Sequence, residues 1–373
     1  MKFIVQSAEL LQHLLKVNGA IVSKPVLPIL ENFLFDIKSG VLTISSTDLE
    51  TSMTTSMAVD SKEDIQVAVP SKIIIDYLRN LPDQPVTFSV DEEHFTVEVI
   101  TGVGRYKMPG QSGIDFPQTP AVESDSSFNM PCNLLLRAIS KTLFATGSDE
   151  LRIALTGVYV EMSNDSITFV ATDANKLVRF TRNDVKPGAE NHFIIPKKAL
   201  NLLRSSINND DTPVTIEWNK SNVFFTYDKT RLICRLIDER YPDYKAVIPT
   251  GNDKILSIRR MDLLSTLRRI GIFASKTTHQ IRLKIAGSDL QVGAEDIEMA
   301  NEAQERLACE YDGEDLEIGF NGRFLIDMLG NLDSDNVEMR LAAPSKAGLV
   351  MPGEQEKDED MLMLIMPMML NNY

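Results

Sequence analysis

The sequence has few of the residues on which metal and cofactor chemistry usually depends. Its 373 residues include only 3 cysteines, 4 histidines and 1 tryptophan. The thiols belong to Cys132, Cys234 and Cys309. Because they are odd in number and widely spaced, we expect reduced thiols in apolar surroundings. The histidines are His13, His94, His192 and His279, and none has a second His or Cys at metal-ligand spacing. We therefore expect no metal site and no cofactor.

Catalytic motifs are absent from the sequence as well. It contains no Gly-rich phosphate loop followed by Lys-Ser/Thr and no Gly-x-Ser-x-Gly. Carboxylates do recur at Asp48, Asp173 and Asp296. Their regular spacing favours Asp side chains that cap turns at strand ends. We expect no catalytic residues and a protein that is not an enzyme. A hydrolase or transferase with an unrecognised site is the alternative, and it predicts loss of turnover when Asp173 is mutated.

No apolar run has the length of a membrane span, which needs roughly 18 to 20 residues. The longest candidate, MLMLIMPMML at residues 361–370, is about half as long. The N-terminal segment carries Glu9 and amphipathic spacing instead of a signal-peptide core. We therefore expect a cytoplasmic protein with no membrane partner.

The chain contains a threefold internal repeat. Strands beginning VTFSV at Val86, VTIEW at Val214 and VEMRL at Val337 lie 128 and 123 residues apart. Each follows a helix-like segment. The predicted strands that end in Asp48, Asp173 and Asp296 recur at nearly the same spacing. Two independent motifs with one period indicate three copies of one unit. The predicted domains are 1–122, 128–249 and 250–373.

Each repeat has the order strand, helix, alternating strands, helix, alternating strands. The first helices are predicted at 7–18, 131–145 and 260–273, and the second at 71–80, 197–206 and 322–330. Hairpin turns are predicted at 38–40, 163–165 and 219–222. The fold class is α+β, with antiparallel sheets outside and two helices of each repeat inside.

Positive charge is concentrated on these helices, although the formal net charge is −15. They carry four acids and thirteen basic residues, which are Lys16, Lys72, Arg79, Arg137, Lys141, Lys197, Lys198, Arg204, Arg259, Arg260, Arg268, Arg269 and Arg323. If the repeats close into a ring with the helices inward, the hole is positive and the outer sheets are negative. Such a hole suits a duplex phosphate backbone held without base readout.

The chain resembles the bacterial β sliding clamps, the processivity subunits of the replicative DNA polymerase, over essentially its full length. The resemblance lies in the segments KPVLPIL at 24–30, TDLE at 47–50, ATD at 171–173, DERYPDY at 238–244, IGFN at 318–321 and MPMML at 366–370. It implies three similar domains per chain and two chains that close head to tail into a ring. It implies a non-catalytic role, in which the ring encircles duplex DNA and tethers the polymerase for processive synthesis.

The resemblance also implies partners and sites. Expected partners are duplex DNA without sequence preference, the polymerase catalytic subunit, the clamp loader, other proteins with clamp-binding motifs, and a second copy of the chain. From the helix charges and the resemblance together, the DNA-binding residues are Lys24, Arg79, Arg137, Lys141, Arg152, Lys197, Lys198, Arg204, Arg268 and Arg269. The dimer interface is expected at Tyr106, Met108, Ile272 and Phe273.

The resemblance further implies a hydrophobic groove for short linear peptides. Its residues here are Leu155, Thr172, Ala174, Lys176, Leu177, Pro242, Val247, Leu364, Met366, Pro367, Met368, Met369 and Leu370. The chain departs from the family pattern at Ala174–Lys176, at Ala246, at Met369 and in the three residues after Leu370. Met361–Ile365 is expected to complete a strand, and the segment turns outward at Pro367. A repeat scaffold that binds only proteins is the second alternative, and it predicts no salt-dependent retention on DNA.

Overall fold

The computed structural model describes residues 1–119, 124 and 126–370. The predicted end of the first domain at 122, and Asn371–Tyr373, lie outside the described residues. The first repeat forms β1 (Lys2–Gln6), α1 (Ser7–Val17), β2 (Asn32–Lys38), β3 (Val41–Thr47), β4 (Thr51–Ala58), β5 (Asp60–Ser61), β6 (Ile65–Pro70), α2 (Ser71–Arg79), β7 (Pro85–Val90), β8 (Thr96–Ile100), β9 (Arg105–Pro109) and β10 (Gln111–Ser112).

The other two repeats follow the same order of elements. The second forms β11 (Ser126–Pro131), α3 (Cys132–Thr142), β12 (Gly157–Met162), β13 (Ile167–Thr172), β14 (Lys176–Arg182), β15 (Asn191–Pro196), α4 (Lys197–Ser206), β16 (Pro213–Trp218), β17 (Asn222–Tyr227), β18 (Thr230–Arg235) and the short α5 (Tyr244–Val247). The third forms β19 (Lys254–Arg259), α6 (Arg260–Ile270), β20 (Gln280–Ala286), β21 (Asp289–Asp296), β22 (Asn301–Ala308), β23 (Glu310–Asp312), β24 (Leu316–Asn321), α7 (Gly322–Gly330), β25 (Asn336–Leu341), β26 (Gly348–Pro352) and β27 (Glu359–Ile365). The predicted α+β class, the internal repeat and the six predicted helices are confirmed.

The chain divides into two compact units, and the division falls inside α3. The first unit is Met1–Leu136 with Lys198–Leu236, and the second is Arg137–Lys197 with Ile237–Tyr373. Each unit therefore combines one whole terminal repeat with part of the middle repeat. The predicted boundaries at 128–249 and 250–373 describe the repeats in the sequence, and they stay a prediction for the domains.

The first unit contains two antiparallel sheets. One has the strand order β5-β1-β7-β8-β9. The other has the order β10-β6-β2-β3-β4-β18-β17-β16-β11, and it joins two repeats through the pairing of β4 with β18. Helix α1 packs against α2, β3 and β4 with Leu10, Leu14 and Val17 buried. The apolar stripe of the helix, spaced three and four residues apart, covers one face of the sheet.

The second unit also contains two antiparallel sheets. The larger has the order β15-β12-β13-β14-β27-β26-β25-β19-β23, and the smaller has the order β22-β21-β20-β24. In the larger sheet β14 pairs with β27 in register, Leu177 opposite Leu364. This pairing joins the middle and third repeats and brings the C-terminal segment next to the turn between β13 and β14. Helix α6 packs on α7, β19, β21 and β22.

Candidate functional site

The C-terminal segment passes from one sheet to another within the second unit. Residues Met361–Ile365 are buried as the end of β27, which confirms the predicted strand. Pro367 has no N–H to donate, so ladder pairing stops there. Beyond it the Met368 N–H donates to the Gly319 carbonyl at 2.8 Å, and Gln280 Nε2 donates to the Met369 carbonyl at 2.9 Å. The segment after β27 is thus fixed to β20 and β24 of the smaller sheet.

The side chains of this segment change from buried to exposed at the point where strand pairing ends. Leu364 is 3% exposed, whereas Met366 is 46% and Met369 79% exposed. The Met366 N–H donates to the Asn175 carbonyl at 2.9 Å, which fixes the first exposed methionine beside the β13–β14 turn. Flexible, polarisable Met side chains on a fixed backbone make a surface that can accept several apolar ligands.

Residues from four distant parts of the sequence meet in one apolar cluster of the second unit. Three are predicted groove residues, Leu155, Leu177 and Leu364. Tyr241 and Tyr244 pack with them, and the Tyr241 ring stacks on Tyr159 with centroids 4.6 Å apart. The predicted groove residues Pro242 and Val247 lie exposed on the same turn as these tyrosines.

Tyr244 and Lys245 of this turn are fixed by a carboxylate. Tyr244 Oη donates to Glu161 Oε2 at 2.5 Å, and Lys245 Nζ donates to Glu161 Oε1 at 2.7 Å. Burial, then the hydrogen bond to Glu161, raises the pKa of Tyr244, so its hydroxyl stays protonated as a donor. The two tyrosines of the cluster stand in the DERYPDY segment, but the partner carboxylate is about eighty residues away and the sequence carries no signal for it.

The β13–β14 turn holds the three predicted groove residues Thr172, Ala174 and Lys176. Asp173 Oδ1 accepts the N–H groups of Asn175 and Lys176, both at 2.9 Å. The Thr172 hydroxyl donates to the Lys176 carbonyl at 2.6 Å and accepts from the Ala174 N–H. Ala174 has φ 77°, the left-handed conformation that turns tolerate. Asp173 therefore serves as a turn cap, as predicted.

Lys176 is held inside the protein rather than presented to solvent. It is 6% exposed, and its Nζ lies 2.6 Å from Asp173 Oδ2 and 4.3 Å from the ring centroid of Phe324. The carboxylate and the aromatic face together balance the buried ammonium. Phe324 on α7 was not among the predicted site residues. Gly319 and Gln280 were also missed, because their role depends on contacts with the chain end.

The predicted DNA-binding residues fall into two groups. Six have an ion-pair partner, which are Arg79, Arg137, Lys141, Arg152, Lys198 and Arg269. Arg79 lies 3.9 Å from Asp76, with both side chains exposed. Lys24, Lys197, Arg204 and Arg268 have no ion pair within the described part of the chain. The second group keeps its charge available for a phosphate backbone.

Arg137 and Lys141 belong to a network of charges in the second unit. Arg137 Nε lies 2.5 Å from Glu359 and its Nη1 2.7 Å from Asp333, while Lys141 Nζ donates to Asp333 at 2.7 Å. Arg182 pairs with the same Glu359. The network fixes the start of β27 to α3 and β14. Lys141 is 7% exposed, so its predicted contact with DNA stays a prediction that the local geometry does not favour.

The predicted dimer-interface residues lie at the edges of the two smaller sheets or beside them. β9 is an edge strand, and Tyr106 on it is partly exposed while Met108 is buried in its own unit. Ile272 and Phe273 follow α6, and Ile272 is 76% exposed. Met108 thus supports the strand from within and presents little surface to a second chain.

The described residues contain no cluster of three or more His, Cys, Asp or Glu placed to hold a metal ion. The three cysteines are free, and burial raises the pKa of the Cys132 thiol to about 11. A thiol in this state is a poor nucleophile at neutral pH. None of the helices in residues 1–119 and 126–370 has the length and apolar character needed to span a membrane.

Comparison with known proteins places the whole chain in one family. The DNA polymerase III beta subunit models match in order: N-terminal domain at residues 1–120, central domain at 129–243 and C-terminal domain at 245–369. The beta sliding clamp of Pseudomonas aeruginosa is 28% identical over 99% of this chain and 100% of its own length. That of Synechococcus elongatus is 29% identical over the full length of both.

The fold agrees with the sequence comparison. A crystal structure of the DNA polymerase sliding clamp from Pseudomonas aeruginosa superposes with a TM-score of 0.94, at 28% identity, over 99% of this chain and 100% of that one. Three domain matches that together span nearly the whole sequence leave no region for an unrelated module. The chain belongs to the DNA polymerase III beta subunit family, the beta sliding clamps.

Proposed function

We propose that this chain is a DNA sliding clamp that supports processive replication. Three family domains that follow one another along the chain carry this conclusion. The family is a non-catalytic processivity factor, and the carboxylate of Asp173, the one named as a catalytic alternative, caps a turn. DNA and the polymerase are the partners that membership of this family implies.

The proposed assembly is a head-to-tail dimer that closes into a ring around duplex DNA. Two edge strands support it. β9 ends the five-stranded sheet and exposes Arg105 and Lys107, while β22 ends the four-stranded sheet and exposes Glu302 and Arg306 beside partly buried Glu305. An unpaired edge offers N–H and C=O groups to a second strand. Arg105 and Glu305 are paired inside the chain, so the opposite charges that favour pairing with a second copy are those of exposed Lys107 on β9 and Glu302 on β22.

Within the ring, we propose that DNA is held by charge and by topology rather than by tight contacts. The net charge of −15 opposes binding of DNA elsewhere on the surface. Lys24, Lys197, Arg204 and Arg268 supply charge that no described carboxylate neutralises. Few and weak phosphate contacts let the ring slide, since closure alone prevents dissociation.

The groove is the proposed docking site for linear peptides from the polymerase, the clamp loader and other clamp-binding proteins. Its floor is the cluster of Leu155, Leu177 and Leu364, and its open side carries the exposed Met366 and Met369. Tethering a polymerase there raises its effective concentration at the primer end. We also propose a cytoplasmic location, because the three thiols are free and the cytoplasm keeps thiols reduced.

Primer extension with a replicative polymerase and a clamp loader tests this function. We expect long products when this protein is present and short products when it is left out. Removal of residues 366–373 leaves β27 complete, so the protein should fold but no longer stimulate synthesis. Removal of 371–373 alone is the matched control and should keep stimulation. Equal stimulation by both shortened chains would exclude the groove as the polymerase site.

A further inference from the structure

A cleft in the second unit brings three cationic side chains and a histidine together. It lies between the end of α6, the loop that leads to β20, and the start of α7. Its volume is about 440 Å3, and its basic lining residues are Arg268, Lys276, His279 and Arg323. Only Arg268 belongs to the set predicted from the sequence to bind DNA. The other three converge with it through the fold.

No carboxylate lines the cleft among its described residues. Arg268, Lys276 and Arg323 form no ion pair within the described part of the chain, and Asp327 on α7 interacts with Arg323 only at longer range. The neighbouring Arg269 contrasts with them, since it donates to Glu305 at 2.8 Å and 2.5 Å. Like charges gathered in a cleft repel one another and raise the local potential. An anion from outside the chain relieves that repulsion.

The backbone around the cleft is held in place. The Gly322 N–H donates to the His279 carbonyl at 2.8 Å, which ties the loop to the start of α7. A Cβ at Gly322 would lie 2.5 Å from the Ile281 side chain, so β20 and the start of α7 pack closely at this point. His279 has φ 53°, a left-handed conformation that is uncommon for residues other than glycine. Strained backbone that neighbouring contacts enforce is found at ligand sites. The nine-residue α7 also directs the positive end of its dipole to this side.

His279 contributes an uncharged imidazole to the cleft at neutral pH. Burial, then the charge of Arg323, lowers the pKa of His279 below its ordinary value. The charged groups that line the cleft with it are Arg268 from α6, Lys276 from the same loop and Arg323 from α7. The imidazole is therefore neutral at neutral pH, and three permanent charges remain to attract an anion.

We propose that this cleft binds a phosphodiester of the DNA backbone. The inference rests on the proposed clamp function and adds a phosphate site in the third repeat. A duplex presents one negative charge about every 1.7 Å of its axis, which suits several cations that act together. An acidic peptide would also be attracted, and a competition experiment separates the two. Ile272, which we propose for the dimer interface, also lines the cleft, so the site adjoins that interface.

The test measures binding of a short labelled duplex by fluorescence anisotropy over a range of salt concentrations. The variants are Lys276→Gln, Arg323→Gln and the two combined. Lys220→Gln on an exposed hairpin turn removes the same charge elsewhere and serves as the control. For each phosphate that a variant no longer neutralises, the slope of log affinity against log salt should fall by about 0.9. The double variant should therefore have a smaller slope and several-fold weaker binding, and the control should match the unaltered chain.

The outcomes separate this inference from the clamp function. If the unaltered chain binds duplex and the double variant keeps its slope and affinity, the cleft is not a phosphate site. If the unaltered chain does not bind the short duplex, the cleft is not a phosphate site, whereas the clamp function is judged separately by retention of loaded protein on a nicked circular plasmid. Arg323→Lys keeps the charge and should restore most of the affinity, which distinguishes charge from folding. Competition by an acidic peptide but not by inorganic phosphate at constant ionic strength would assign the cleft to peptides and overturn the proposal.

Discussion

Replacement of Gly319 by Ala should detach the C-terminal segment without unfolding the sheet beneath it. A Cβ at Gly319 would lie 2.7 Å from the Met368 carbonyl oxygen and 2.8 Å from Leu370 Cδ2. Real Cβ contacts below 3.0 Å are essentially never seen, and the first of these atoms belongs to backbone that cannot rotate away. The segment 366–370 therefore has to move away from β24.

The loss of docking free energy follows from the hydrogen bonds that this movement breaks. They are the bond from Met368 to Gly319 at 2.8 Å and the bond from Gln280 to Met369 at 2.9 Å. Each contributes roughly 0.5–1.5 kcal/mol net, so docking of the segment weakens by about 1–3 kcal/mol. Peptide affinity should fall roughly 5- to 150-fold, since 1.4 kcal/mol corresponds to a factor of ten.

The assay is anisotropy of a labelled clamp-binding peptide, with amide hydrogen exchange of Met366 and Met368 as a structural readout. Gly293→Ala in β21 of the same sheet is the matched control, because a Cβ there meets only the Ala303 carbonyl oxygen at 3.7 Å. The control should bind peptide normally. Unchanged peptide affinity for Gly319→Ala, with fast exchange at both amides, would refute the claim that this segment forms a wall of the groove. Slow exchange at both amides would refute the predicted detachment.

Three further predictions follow from charges inside each unit. Glu359→Gln removes the carboxylate that Arg137 and Arg182 share, while Arg137 keeps Asp333 and Arg182 keeps Asp184. It should destabilise the fold by about 1.5–3 kcal/mol in thermal or denaturant unfolding. Exposed Glu354→Gln is the control, and equal unfolding midpoints would contradict the network's role. The pKa of Asp184 lies below its ordinary 3.8 because a guanidinium donates to it, so the stability it provides is present above pH 3.8 and lost as pH falls through the folded pKa. Asp184→Asn should therefore lessen the loss of stability as the pH falls below 3.8, and an identical acid unfolding curve would count against this. Lys197→Gln should weaken duplex binding more than Lys198→Gln on the same helix, because only Lys198 is already paired; the reverse order in a salt titration would disprove the distinction.

Local patterns in the sequence predicted the elements well. The period of the apolar residues indicated helices at 71–80, 197–206 and 322–330, and the structure has them at Ser71–Arg79, Lys197–Ser206 and Gly322–Gly330. The hairpin predicted at 38–40 is present, with Ser39 and Gly40 both at positive φ. These features depend on neighbours in the chain, which is why one sequence suffices to find them.

Contacts between distant segments could not be predicted in the same way. Nothing in the residues of β14 and β27 indicates that they pair, since an alternating or apolar strand can pair with many others. The same limit applies to charges. Lys141 stands on a basic helix in the sequence, but the fold places Asp333 beside it and removes it from the surface. The groove residues came from resemblance to the family, whereas Gly319, which holds the chain end, is recognisable only from the tertiary structure.

Retention on circular and linear DNA distinguishes a closed ring from an ordinary DNA-binding surface. The protein is loaded onto a nicked circular plasmid, unbound protein is removed, and half of the sample is cut once before the bound fraction is measured. A closed ring held by topology should stay on the circle at a salt concentration that removes simple phosphate contacts, and it should leave the cut plasmid through its ends. Equal loss from both forms would show that the protein does not enclose the duplex.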